Sequence, residues 1–349
     1  MKRSHLRRAA LGRQCAALLV LAASQAQAQR SWIDVTRPLG ALLKKPSVIT
    51  LIAAAPGSDQ VIVGIDMAGL FATTDGGLSW SPLGAPGQIA QLPVQVVFDP
   101  KRPRTFWVSG MHGPGVFKTM DGGASFVRLG DFSNCEGIGV DLSDEYRRTL
   151  VVAMHETVGI QRSISSGMTW KDIAGSLPRG SNFPTLPVVF DSQTYIVATA
   201  GYGAPTSGIY RTSNGGATWI RVHSSGTRNP GLVASDGAVY LGPDAAVYLP
   251  DKQGGQLIRS DDKGLTWRVL AGPAFVTPVE LPDGVLVSAA GRQMYRSKDR
   301  GESWRPFGPP APANIRALAY NSGRKQIFAV VWEPAPPVNA GVWKIGAEP

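Results

Sequence analysis

One octet recurs six times along this chain. Thr73–Trp80 reads TTDGGLSW, and it returns as TMDGGASF at 119–126, SISSGMTW at 163–170, TSNGGATW at 212–219, SDDKGLTW at 260–267 and SKDRGESW at 297–304. The starts lie 46, 44, 49, 48 and 37 residues apart. A short unit repeated at such a period cannot bury its apolar faces alone, so the copies must stack on one another.

The stretches between octets repeat as well. Inner-strand candidates are Pro93–Asp99, Ile138–Asp141 and Pro187–Asp191, followed by second strands at Thr105–Val108, Thr149–Ala153 and Tyr195–Thr199. Third strands run straight into each octet, from Gly69-Leu-Phe in the first copy to Met294-Tyr-Arg in the sixth. A fourth begins at the octet aromatic. Four short strands per period predict the blades of an all-β propeller. Glycine (41 residues) and proline (27) are too frequent for a helical protein and suit many turns. A seventh copy is split between the chain ends. Gly341–Ile345 repeats the third strand without an octet after it, and Ser31–Val35 repeats the octet tail and fourth strand without a third strand before it. Seven blades are therefore expected, the last closed by the N-terminal strand, in one domain over 29–349.

Residues 1–28 read as a secretory signal peptide. Lys2, Arg3, Arg7, Arg8 and Arg13 precede the apolar run Ala16–Ala23, and Ala26-Gln-Ala28 fits a small-x-small cleavage site. The run is too short to span a bilayer. Arg7-Arg8 also leaves the twin-arginine route open. Export to the periplasm or the medium is expected, with no transmembrane segment in the mature chain. The segment holds five cations and no acid, so its removal lowers the formal charge from +10 to +5 and weakens any nucleic-acid reading. Cys135 alone remains in the mature chain, which leaves no internal disulfide and no cysteine-based metal site.

The octets resemble Asp-box (bacterial neuraminidase) repeats, of pattern Ser/Thr-x-Asp-x-Gly-x-Thr/Ser-Trp. Chain size, signal peptide and single ring are most similar to the photosystem II assembly-factor-like group of propellers. Sialidases and xyloglucan-cleaving hydrolases share the box, so the box implies the fold and leaves the function open. Within it, Asp75, Asp121, Asp262 and Asp299 are read as acceptors for turn N–H groups, and the following glycine as a positive-φ position. Trp80, Phe126, Trp170, Trp219, Trp267 and Trp304 are read as packing groups. Asn214 and Ser165 stand at the aspartate position in two copies, which a turn tolerates and a catalytic carboxylate does not. A basic column just before the octets (Lys118, Arg162, Arg211, Arg259, Arg296, Lys344) is read as solvated or paired with octet carboxylates.

Octet hairpins and first-to-second-strand turns share one face of the ring. The opposite face carries the second-to-third-strand loops and the connections between blades, where lengths vary and function tends to sit. Counting back seven residues from each octet start gives Asp66, His112 and Glu156 in blades one to three. Three readings fit them: solvated loop residues, a glycosidase carboxylate pair of Asp66 and Glu156, or, with His112, a divalent-cation site. The same face offers Arg179, Phe183, Tyr202, Arg228, Tyr248, Trp332 and Glu333, with Glu280 and Arg316 placed towards the central channel. Exposed aromatics beside arginines suit a protein or glycan surface.

No cofactor motif, metal spacing or nucleophile elbow is present. Sialidases imply a six-bladed ring and a Phe/Tyr-Arg-Ile-Pro motif, and the nearest match is Thr36-Arg37-Pro38-Leu39. Xyloglucan hydrolases imply two tandem rings. The leading expectation is thus a monomeric, non-catalytic scaffold that binds a protein or glycan and assists an envelope complex. The alternative is a sialidase-like or endo-glucanase-like hydrolase.

Overall fold

The structure is a computed structural model and describes residues 31–43, 48–89, 91–155, 159–179, 181, 184–199, 206–224, 240–241, 246–250, 255–332 and 340–347. Seven antiparallel sheets of four strands each form a propeller. Six run inner to outer in chain order. Blade 1, for example, comprises Ile49–Ala54, Val61–Ile65, Gly69–Thr73 and Ser81–Pro82. The seventh is assembled from both ends of the chain. Asn314–Asn321, Gln326–Trp332 and Ala340–Gly346 are its first three strands, and Ile33–Asp34 is the fourth, with Ile33 opposite Lys344. The split seventh copy read from the sequence is therefore the ring closure.

Middle strands such as Val61–Ile65, Leu150–Met154 and Tyr195–Thr199 read as nearly unbroken apolar runs because neighbouring blades cover both faces of each sheet. The core is accordingly divided into wedges between blades. One wedge joins Val35, Trp80 and Val63 to Phe328 and Val342, sealing blade 7 against blade 1. Another joins Phe71's neighbour Leu70 and Ile62 to Phe106 and Phe117 across blades 1 and 2.

The octet is a self-satisfied turn. The first-position hydroxyl, buried at the end of the third strand, accepts the N–H of the fifth-position glycine at 2.7–3.0 Å in all six copies. Asp75 Oδ1 accepts the Thr73 hydroxyl at 2.8 Å and the Ser79 N–H at 3.0 Å, while Oδ2 accepts the Ser79 hydroxyl. Asn214 Oδ1 accepts the Thr218 N–H at 2.9 Å, and Ser165 Oγ accepts the Thr169 N–H at 2.9 Å, so both substitutes keep the turn. The fifth position needs glycine for two reasons. Gly77 has φ +87°, and a Cβ there would lie 2.8 Å from Val35 of the preceding blade. Leu83, Leu129, Ile173 and Leu270 press on four of the five equivalent glycines, so Val35 closes the ring by a contact used between other blades.

The basic column meets the expectation in part. Arg259 pairs with the octet carboxylates Asp261 and Glu302, and three members of the column also reach the next blade's octet backbone. Lys344 Nζ donates to Gly76 O at 2.6 Å, Arg211 Nε to Lys263 O at 2.9 Å and Arg259 Nη1 to Arg300 O at 3.0 Å. Each acceptor is the fourth octet residue. The third-position carboxylates are already occupied within their own turns, which leaves these carbonyls, and for Arg259 the carboxylates of Asp261 and Glu302, as the acceptors within reach.

Candidate functional site

Inner-strand ends on the octet face surround a cavity of about 1010 Å³ in the central channel. Val96, Phe98, Leu142, Phe190, Leu281 and Tyr320 line it, with Glu280 as an acidic group on its wall. The sequence placement of Glu280 at the channel thus matches its position.

On the opposite face, the junction of blades 2 and 3 is organised around Asn134, in the connection between them. Asn134 adopts φ +63°, a left-handed conformation that asparagine tolerates. Its Oδ1 accepts the His112 N–H at 2.8 Å and its backbone oxygen accepts the His155 N–H at 2.8 Å. The two imidazoles meet edge to face with centroids 5.5 Å apart. Glu136 stands at a bulge in the first strand of blade 3 and contacts His155 Nδ1. A carboxylate at Nδ1 fixes the orientation of the ring. Cys135 adjoins this cluster, but it is fully buried, and burial pushes its thiol up to about 12. It therefore stays protonated and is no nucleophile. The cluster can hydrogen-bond a ligand.

Asp66 lies elsewhere. It is the one ionisable side chain among the described residues lining a second cavity of about 520 Å³ beside blade 1. Leu42 and Leu43, just after the short helix Thr36–Gly40, form one wall, and Met67, Phe71 and Ile89 form others. The register that aligned Asp66 with His112 in the sequence is a position within each blade, and the structure gives each residue its own surroundings. Among the described residues no three His, Cys, Asp or Glu side chains are grouped to hold a metal ion. Glu156, the third member of that register, lies outside the described residues, as do Phe183, Tyr202, Arg228 and Glu333.

Two proposed binding residues do come together. The Arg316 guanidinium sits 5.7 Å from the centre of the Trp332 ring, across the first two strands of blade 7. Arg179 is exposed on the connection between blades 3 and 4. Tyr248 requires a correction. Expected on a long exposed loop, it lies in the second strand of blade 5, Val247–Pro250, and is 3% exposed. Its hydroxyl donates to Arg300 O at 3.1 Å and Arg259 stacks over its ring at 5.4 Å. The run Val247–Pro250 is strand, which the flanking polar residues obscured.

One feature escaped the sequence reading: the buried Asp99–Arg147 pair on the octet face. Arg147, 2% exposed, donates from Nη2 to Asp99 Oδ1 at 2.9 Å and from Nε to Oδ2 at 3.1 Å. Burial opposes ionisation of Asp99, yet the Arg147 bonds and the Lys101 N–H hold its carboxyl below the usual range. The sequence reading placed Asp99 only at the end of an inner-strand candidate and gave Arg147 no role.

No family model and no curated protein sequence matches the chain. Solved structures do. A structure described as YCF48 bound to D1 peptide aligns with TM-score 0.59 at 17% identity, over 91% of this chain and 97% of that one. The GH74 xyloglucanase from Xanthomonas campestris aligns with TM-score 0.59 at 18% identity, over 91% of this chain and 54% of the enzyme. The extracellular domain of a putative one-component system from B. thetaiotaomicron aligns with TM-score 0.61 at 9% identity, over 90% of this chain and 40% of that chain. The propeller fold is thus shared with the assembly-factor-like and xyloglucan-cleaving groups, two of the three that the octets resemble.

Proposed function

We propose that this chain is an exported, non-catalytic propeller that binds a protein partner through the face opposite the octets and so assists assembly or stability of an envelope complex. The observation that carries this reading is the end-to-end likeness to a single-ring protein holding a peptide, where 97% of that chain is matched. The xyloglucanase extends well beyond the matched ring, with 54% of its length aligned. The residues agree with a binding role. The histidine cluster between blades 2 and 3 adjoins a thiol kept protonated by burial, and the Arg316–Trp332 stack suits contact with a polypeptide. Export rests on the leader-like residues 1–28.

Two measurements made together test the proposal. A photo-crosslinking residue placed at His112 or Arg179 in the producing cell should trap one defined envelope protein. Purified protein incubated with sialosides, xyloglucan and β-glucans should leave them intact. Hydrolysis that disappears in Asp66→Ala or Glu156→Ala would replace this reading with the hydrolase one.

A further inference from the structure

We propose that the cleft beside blade 1 grips a lysine side chain flanked by apolar residues in an extended segment of the partner protein, with Asp66 receiving the ammonium. The inference rests on the reading of this chain as a protein-binding scaffold and names where and by what chemistry the partner is held. Four observations carry it. The cleft, about 520 Å³, falls in the size range of preformed ligand sites. Its described walls are otherwise apolar, and Leu42 (44% exposed) and Met67 (50% exposed) stand in water at its rim. Two such side chains lining one cleft mark a surface that gains by being covered, and methionine adapts to varied apolar neighbours. Third, Asp66 is half-buried, and among the described residues its carboxylate takes part in no hydrogen bond or ion pair. Fourth, the neighbouring backbone donors are spent, because Asp66 N–H goes to Val48 O at 3.0 Å and Met67 N–H to Gln91 O at 3.1 Å.

The chemistry follows from those facts. With no cation in the described lining and no free N–H beside Asp66, the cleft repels an anionic group such as a sugar carboxylate. It attracts a cation. Lysine fits better than arginine because its methylene stem lies along apolar walls while a compact ammonium meets one carboxylate. The five donors of a guanidinium would exceed the acceptors of a cleft with one acid. Met67, at φ +53°, is held by its own N–H bond to Gln91 O and by the Asp66 N–H bond to Val48 O beside it, so the rim is set before the partner arrives.

The test uses the whole protein labelled with ¹³C at methionine methyl groups. It is titrated with the capped peptide acetyl-Gly-Leu-Lys-Val-Gly-amide and with versions carrying norleucine or glutamate in place of lysine. The Met67 signal should shift with the lysine peptide. Asp66→Asn should weaken that binding on the order of tenfold or more, and the norleucine peptide should bind both proteins equally weakly. Because the carboxylate bonds to no other group among the described residues, Asp66→Asn should leave the melting temperature unchanged, which separates lost binding from lost fold. Equal affinity of wild type and Asp66→Asn for the lysine peptide, a preference for the glutamate peptide, or no shift at Met67 would each overturn the inference. If crosslinking still traps an envelope protein in those cases, the scaffold reading survives and the lysine cleft alone is lost. Asp66-dependent glycan hydrolysis removes both.

Discussion

At the scale of residues, the octet turns a cluster of reactive-looking groups into a turn with every member occupied. Asp75, Asp121 and Asp299 are held below the usual carboxyl range first by the hydroxyls of Ser79, Ser125 and Ser303 and then by their N–H groups, Asp299 at about 2. A carboxyl whose folded value lies below its unfolded one, about 3.9, stabilises the fold above that unfolded value. The contribution is lost as pH falls through the folded value. The melting temperature should therefore stay level from about pH 7 to 5 and drop between about pH 4 and 2. The triple variant Asp75→Asn, Asp121→Asn, Asp299→Asn should flatten that acid drop, as seen by calorimetry across the pH series. Asn214 already shows the neutral form folds. Asp75→Ala, which deletes the acceptor altogether, should cost about 1–3 kcal/mol in denaturant titration, and Asp75→Asn much less.

At the scale of elements, blades are stitched edgewise by groups that no single blade reveals. The Asp99–Arg147 pair joins blades 2 and 3 with both side chains shielded from water. Arg147→Met should cost about 3–5 kcal/mol, because it strands a buried carboxylate, while the double variant Arg147→Met with Asp99→Leu should recover most of the loss. Equal stability of the single and double variants would show that the pair contributes no charge coupling. Strand positions were readable from their apolar runs, since a buried middle strand advertises itself. The basic column was readable as a register and not as a set of contacts: its backbone acceptors lie on the following blade, 41 residues away for Arg259 and 52 for Arg211. Tyr248 was misplaced because short strands beside polar loops carry too few residues to show a pattern.

At the scale of the whole molecule, the ring depends on joining its ends. Ile33–Asp34 pairs with Ala340–Gly346, Val35 seats against Gly77, and Lys344 reaches Gly76 from 268 residues away. Deleting residues 31–35 bares the edge of Ala340–Gly346 and empties part of the wedge between blades 7 and 1. The truncated protein should melt several degrees lower and form concentration-dependent oligomers on size-exclusion chromatography. A monomer with unchanged melting temperature would show that the ring holds without its closing strand.

The sequence alone determined the repeat, the four-strand blade, the count of seven and the closure by the N-terminal strand. Those properties rest on spacing, turn chemistry and apolar runs, all settled among near neighbours in the chain. Tertiary structure decided what the variable face offers. It set His112 against His155 under Asn134, and it turned Asp66 into the lone carboxylate of an apolar cleft walled by Leu42 and Met67. Identical registers in successive blades acquire different neighbours once the connections fold over them, and no local pattern encodes which connection covers which loop.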